Sequence, residues 1–323
     1  MRHLLSIEDL ERADIERILT RASSFSEIGR RDIKKVPTLR GRTIVSLFYE
    51  ASTRTSSSFE LAAKRLSADV VSVKASGSSV EKGESLRDTI ATLSAYAPEV
   101  IIIRSPYAGA ANLVTNWTEA SVVNAGDGKH EHPSQALLDA YTLIDRLGSL
   151  DGKRIWIVGD VLHSRVARSC ARCFIALGAE VTVCGPPTLI PRGIEEALGV
   201  RVAHTLDDMG EADVVYALRM QRERMKESFV PSIREYAERY QIDSRRLGSR
   251  QLLMHPGPVN RGVELAPDVI DGPASLIVAQ VESGLLVRMA ILYELLAGRE
   301  PRGTGSRARE AELAEATPIG EPA

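Results

Sequence analysis

The chain has 323 residues, 44% of them apolar and 26% charged, with a formal net charge of −2 at pH 7. That length is too great for one ordinary core and suits two α/β domains of about 150 residues each, with apolar material for two buried sheets. The near-neutral balance excludes general electrostatic attraction to nucleic acid or to an acidic membrane, so an anionic ligand requires a local basic site.

The N-terminal stretch from Met1 to Leu10 lacks a long apolar run and turns acidic at Glu8, which does not fit a secretory signal. No segment approaches the roughly 18 uncharged residues of a membrane span. A cytoplasmic location is expected, and the three cysteines, too few for a disulfide framework, fit a reducing compartment.

The first buried strand is predicted at Thr43–Tyr49, followed by Glu50-Ala51-Ser52-Thr53-Arg54-Thr55-Ser56 and a helix whose Phe59, Ala62, Ala63 and Leu66 share one face. Hydroxyls, free N–H groups of a helix N-terminus and one guanidinium make this segment a candidate phosphate site. An ordinary Ser/Thr helix cap is the alternative. The polar loop Ser78-Ser79-Val80-Glu81-Lys82-Gly83-Glu84-Ser85 precedes a helix with Leu86, Ile90, Leu93 and Ala97 in phase; Lys82 there reaches an anion or is simply solvated. Arg104 ends the apolar strand Val100–Arg104, where a charge needs a partner.

A glycine-rich loop, Asn124 to Glu131, leads to His132, Pro133 and Gln135 at the start of a helix spanning Pro133–Leu147, which bridges two strand–helix arrays. His132 and Gln135, three apart, are suited to one carbonyl or amide. No second cluster of His, Cys or carboxylates completes a metal site around His130 and His132.

The second array contains strands at Arg154–Gly159, Val181–Cys184, Val214–Ala217 and Leu252–Met254. Its first strand–helix turn carries only Gly159 of a G-x-G-x-x-G fingerprint, which counts against a dinucleotide site. Arg165 falls in the first helical turn, where a cation opposes the helix dipole unless an anion is bound. Arg219 and Gln221 follow another strand, and the two arginines are either a carboxylate clamp or salt-bridge partners of nearby acids. Cys170 and Cys173 share an apolar helix face and are expected to pack into the core. His255-Pro256-Gly257-Pro258 leaves the last strand with exposed carbonyls, since proline removes N–H donors. A final apolar helix, Leu285–Leu296, is expected to fold back on the first domain, and the polar chain beyond Gly298 reads as a tail. Strand–helix alternation throughout gives the expected fold class: α/β, two doubly wound parallel-sheet domains joined by bridging helices.

Taken in order, Ser-Thr-Arg-Thr-Ser, Ser-x-x-x-Lys-Gly-Glu, the strand-terminal Arg, His-Pro-Ser-Gln, Gly-Asp-x-x-x-x-Arg-Val, Arg-x-Gln and His-Pro-Gly-Pro resemble the aspartate/ornithine carbamoyltransferase family across roughly residues 1–300. The resemblance is to its aspartate branch. The ornithine branch carries His-Cys-Leu-Pro and an Asp followed by Ser-Met, neither of which occurs here, and arginines would repel ornithine's ammonium.

The resemblance implies transfer of the carbamoyl group of carbamoyl phosphate to L-aspartate, an early step of pyrimidine biosynthesis. It implies carbamoyl phosphate binding by Ser52, Thr53, Arg54, Thr55, Arg104, His132, Gln135, Pro256, Gly257 and Pro258, and aspartate binding by Lys82, Arg165, Arg219 and Gln221. Arg54, Thr55, Lys82, Arg104 and His132 are the implied catalytic groups. Ser78 and Lys82 would come from the neighbouring subunit of a homotrimer with shared active sites. The implied domains are residues 1–132 with 284–300 for carbamoyl phosphate, 133–283 for aspartate, and a 301–323 tail. No metal or organic cofactor is required. Regulatory chains or other enzymes of the pathway are further partners that the resemblance admits. A carbamoyltransferase for another amino acid, a non-catalytic assembly subunit and an NAD-linked dehydrogenase are the rival readings.

Overall fold

The computed structural model describes residues 1–74, 83–221 and 229–297. Ser78, Lys82 and the polar tail therefore lie outside the described residues. After α1 (Arg12–Ser26) come β1 (Thr43–Phe48), α2 (Thr53–Arg65), β2 (Asp69–Lys74), α3 (Leu86–Ser94), β3 (Val100–Ser105), α4 (Ala110–Val114) and β4 (Ser121–Asp127). These strands form one all-parallel sheet in the order β2-β1-β3-β4. β1 reads as a largely apolar run because both its faces are buried: Ile44 and Phe48 face one core, Val45 and Leu47 the other.

The bridging helix α5 (Pro133–Leu147) opens with Pro133, whose missing N–H costs nothing there, and stops at Gly148 in a positive-φ conformation. Then follow β5 (Arg154–Val158), α6 (Arg165–Ala176), β6 (Glu180–Cys184), α7 (Ile194–Leu198), β7 (Arg201–Ala203), β8 (Val214–Ala217), α8 (Ile233–Tyr240), β9 (Leu252–Met254) and α9 (Pro267–Ile270). The second sheet is also all parallel, in the order β7-β6-β5-β8-β9. The last helix, α10 (Ile277–Leu296), packs against α1, α2 and α5, as expected for a helix with no strand to follow it.

Strand order reverses beside β1 in the first sheet, between β1 and β3, and beside β5 in the second, between β5 and β8. Crevices at the carboxyl ends of strands form at such reversals. Arg104 stands near the carboxyl end of β3, and the segments leaving β1, β5 and β8 hold Arg54, Arg165 and Arg219.

Four local expectations change. β2 and β7 were not legible as strands, because both are sheet edges with exposed or half-exposed residues and so lack a buried apolar run. The segment read as a loop from Asn124 is the buried end of β4, whose seven residues are all buried. Its polar groups are paired: the Asn124 amide donates to Leu5 O near the N-terminus and to Asp127 Oδ1, both at 2.9 Å, and accepts from Gly126 N–H at 2.8 Å. α10 begins eight residues before Leu285, since buried Gln280 and Ser283 interrupt the apolar pattern ahead of it. Ala97 lies past the end of α3 at φ 49° instead of continuing the helix.

Cys170 and Cys173 are fully buried in the core, as expected. Burial pushes both thiols well above their ordinary range, which suits packing and not redox exchange.

Candidate active site

A cleft of about 720 Å³ opens where the carboxyl ends of the two sheets meet. On the first-sheet side, α2 starts at Thr53 with Ser52 as its N-cap, and the Ser52 side chain makes no capping hydrogen bond. Ser85, Ser164 and Ser232, at the starts of α3, α6 and α8, each accept from the N–H three residues on. The first N–H groups of a helix have no partner within it. Those of α2 are thus left without a side-chain cap beside the cleft, together with the Ser52, Thr53, Arg54 and Thr55 side chains that line it. This excludes the ordinary serine cap as the reading of that segment.

The Arg54 guanidinium donates to Pro256 O at 3.0 Å and so ties α2 to the turn after β9. Gly257, at φ 64°, lies directly beneath that guanidinium, and a Cβ there would collide with it. The Gly257–Pro258 bond is cis. His255 holds the turn from inside: its Nδ1 accepts from Gly257 N–H at 2.8 Å, and its Nε2 lies 3.2 Å from the buried Glu264 carboxylate.

His132 is the N-cap of α5 and is 3% exposed. Its backbone N–H donates to Ser169 Oγ at 2.8 Å, while its Nε2 is buried with no hydrogen-bond partner among the described residues. Burial first, then the charges of Arg104, Arg165 and Arg288, hold its pKa well below the usual range, so the ring is neutral. Three residues later, Gln135 Nε2 donates to Asp139 Oδ1 and Oδ2 at 3.0 and 3.2 Å.

From the second sheet, Arg165 at the start of α6 is 4% exposed and donates to Glu50 Oε2 at 2.8 Å and to Gly128 O at 3.2 Å. Arg104 Nε stands 3.3 Å from the same Glu50 oxygen. The bend after β4 makes room for Arg165: Gly126 has φ 115°, and a Cβ there would lie 2.9 Å from the guanidinium carbon. Buried Asp160 joins the two loops of this sheet, accepting from His163 N–H at 3.2 Å and from Gln221 N–H at 3.2 Å.

Family models match almost the whole chain. Residues 2–145 match "Aspartate/ornithine carbamoyltransferase, carbamoyl-P binding domain", and residues 151–295 match the "Asp/Orn binding domain" of the same family. The chain belongs to the aspartate/ornithine carbamoyltransferase family. It is 54% identical over 318 residues to the aspartate carbamoyltransferase catalytic subunit of Acidothermus cellulolyticus, covering 97% of this chain and 98% of that one. The Salinispora arenicola catalytic subunit is 55% identical over 92% of this chain and 99% of its own length. Among solved structures, aspartate transcarbamoylase from Trypanosoma cruzi in complex with N-(phosphonacetyl)-L-aspartic acid superposes with a TM-score of 0.84 at 33% identity, covering 92% of this chain and 96% of that one. The catalytic subunit of M. jannaschii aspartate transcarbamoylase superposes with a TM-score of 0.80 at 35% identity, over 92% of this chain and 98% of the other.

Every described residue that the carbamoyltransferase resemblance singled out lines this one cleft: Ser52 to Thr55, Arg104, His132, Gln135, Arg165, Arg219, Gln221 and Pro256 to Pro258. Sequence reasoning missed Glu50, Arg288, Gln280 and Asp139. Glu50 carries a readable signal, an acid directly after a buried strand. Gln135 and Asp139 carry another, a polar i,i+4 pair among the apolar residues in the first half of the bridging helix. Arg288, buried in α10, donates to Ser58 Oγ at 3.0 Å and lies over the Phe59 ring at 5.1 Å; burial lowers its pKa to about 10.

Proposed function

We propose that this chain transfers the carbamoyl group of carbamoyl phosphate to the amino group of L-aspartate, giving N-carbamoyl-L-aspartate and phosphate. One observation carries the reading: a single cleft joins an uncapped helix N-terminus with Arg54 on one wall to Arg165 and Arg219 on the other. Relatives more than half identical over nearly the whole chain are named aspartate carbamoyltransferase catalytic subunits. A structurally similar relative has been solved in complex with carbamoyl phosphate and aspartate. Two arginines on the acceptor wall favour a second carboxylate and oppose ornithine's ammonium.

In this reading residues 1–132 with 284–300 form the carbamoyl-phosphate domain and residues 133–283 the aspartate domain. The α2 N–H groups, Ser52, Thr53 and Arg54 take the phosphate. Thr55, Arg104 and the Nε2–H of neutral His132 donate to the carbonyl oxygen, on which negative charge grows as the amine attacks. The orphaned His132 Nε2 supports this role, because a buried donor without a partner awaits one. Gln135 and the turn at Pro256, Gly257 and Pro258 receive the carbamoyl amino group. Arg165, Arg219 and Gln221 orient aspartate, chiefly a proximity effect. A nitrogen–carbon bond forms, the carbon–oxygen bond to phosphate breaks, and the departing phosphate takes the amine proton. Ser78 and Lys82 of a neighbouring copy complete the site in a homotrimer.

The test is product formation by the purified chain with carbamoyl phosphate and either L-aspartate or L-ornithine. Carbamoyl-aspartate alone is expected. Product with ornithine alone would overturn the acceptor assignment, and no product from a folded oligomer would favour an assembly role.

A further inference from the structure

Asp139 is fully buried one turn along α5 from Gln135, and it does not line the cleft. Its carboxylate gathers donors from four elements: Gln135 Nε2 on α5, Gln280 Nε2 on α10 at 2.7 Å, Tyr216 Oη on β8 at 2.7 Å and Cys170 Sγ on α6 at 3.3 Å. Two of these are amides whose other end matters. A carboxylate accepts and does not donate, so each glutamine must turn its NH₂ towards Asp139 and its carbonyl oxygen away. Gln280 Oε1 then accepts from His255 N–H at 3.0 Å, fixing the backbone that runs into Pro256. Gln135 Oε1 is left as an acceptor on the cleft side, where Gln135 contributes to the wall.

We infer that Asp139 is the positioning residue that sets both glutamine amides so that the cleft presents acceptors to the carbamoyl –NH₂, and that it thereby selects a carbamoyl over an acetyl donor. This rests on the carbamoyl-phosphate reading above. Carbamoyl phosphate and acetyl phosphate differ by an –NH₂ against a –CH₃ of similar size, so only the first uses acceptors on this wall. With a neutral amide at position 139, the side chain offers Gln135 and Gln280 both a donor and an acceptor. Their orientations are no longer fixed, and a flipped Gln135 turns NH₂ against NH₂. The ionised carboxylate is costly in this setting: burial pushes Asp139 up to about 6 against its ordinary 3.8. A group that only filled space would be better served by an apolar residue.

The experiment compares wild type, Asp139→Asn and Gln280→Met in the full chain, after carbamoyl-aspartate formation by wild type has been established. KM for carbamoyl phosphate and the inhibition constant of acetyl phosphate are measured for each. For Asp139→Asn, KM for carbamoyl phosphate should rise about tenfold, the effect of one misdirected buried hydrogen bond, while acetyl phosphate binding stays within about twofold. Gln280→Met, which cuts the link to His255 at similar volume, should move the same ratio in the same direction. It also decides the matter should Asp139→Asn fail to fold. Equal loss for both ligands would reduce Asp139 to scaffolding, and an unchanged ratio in both variants would overturn the inference. Absence of carbamoyl transfer by wild type would instead strike the functional reading itself.

Discussion

Arg165 Nη2 donates to Glu50 Oε2 at 2.8 Å, joining the segment after β1 in the first sheet to the first turn of α6 in the second. Arg104 approaches the same oxygen at 3.3 Å, so one carboxylate holds two of the arginines that face the cleft. Breaking one side of a nearly buried ion pair leaves the other charge uncompensated. Glu50→Gln should therefore release Arg165 and raise the apparent KM for aspartate about tenfold or more. KM for carbamoyl phosphate should change by less than about threefold. Steady-state kinetics with each substrate varied checks this; equal changes in both would make Glu50 a general support and not a holder of the aspartate wall.

Gly257 and Gly262 make a controlled pair. Both have positive φ, 64° and 83°, but a Cβ at 257 strikes the Arg54 guanidinium, whereas one at 262 meets nothing within 4 Å. Each alanine variant should lose about 1–3 kcal/mol of stability from backbone strain. Only Gly257→Ala should displace Arg54 and lower kcat/KM for carbamoyl phosphate by about 10²-fold. Comparable activity in the two variants would show that Arg54 tolerates displacement.

Arg54 and Arg219 should separate kinetically, because they line the cleft from different sheets. In the proposed reading Arg54→Ala removes charge from beside the leaving phosphate, and it should cut turnover by about 10²-fold or more. Arg219→Ala should weaken aspartate saturation strongly while leaving carbamoyl phosphate binding largely intact. An Arg219→Ala variant with normal aspartate saturation would remove that arginine from the clamp.

What the sequence disclosed about this site follows a physical line. β1, β3, β5 and β8 are buried on both faces, so they read as apolar runs, and their carboxyl ends could be located before any geometry was known. The strand-end arginines were legible because a charge stands out where apolar residues stop. The partners that hold them were not. Glu50 and Arg165 are 115 positions apart, and Asp139 and Gln280 are 141 apart, so no local spacing links them. Edge strands β2 and β7 escaped for the opposite reason, since exposure removes the pattern that marks a strand.

His132 should act as a donor and not as a base. With its pKa well below 6.5, the ring stays neutral through the physiological range, and no step in kcat between about pH 6 and 8 should belong to it. The sign for stability follows from the same shift: the unfolded chain takes up a proton first, so the contribution is complete above pH 6.5 and is lost as pH falls below it. His132→Asn keeps an N–H donor and should retain turnover within about tenfold of wild type, while His132→Ala should lose about 10²-fold. Equal loss in the two variants would point to proton transfer by the imidazole.

Asp139 should cost stability where it is ionised. Its pKa is raised from 3.8 to about 6 by burial, against the hydrogen bonds from Gln280, Tyr216, Gln135 and Cys170 that favour the charged form. A carboxyl that binds its proton more tightly when folded stabilises the fold most below its unfolded pKa; that contribution declines as pH rises from 3.8 and is gone above about 6. The whole shift corresponds to a few kcal/mol, of which a part on the order of 1 kcal/mol falls between about pH 5 and pH 7.5. Asp139→Asn has no such titration. Whatever fixed offset its altered hydrogen bonds impose, its stability relative to wild type should improve by on the order of 1 kcal/mol over that interval. Urea unfolding of both proteins at the two pH values measures the difference directly. A pH-independent offset would mean that Asp139 keeps an ordinary carboxylate pKa in the fold, and that its four donors fully offset the desolvation of its charge.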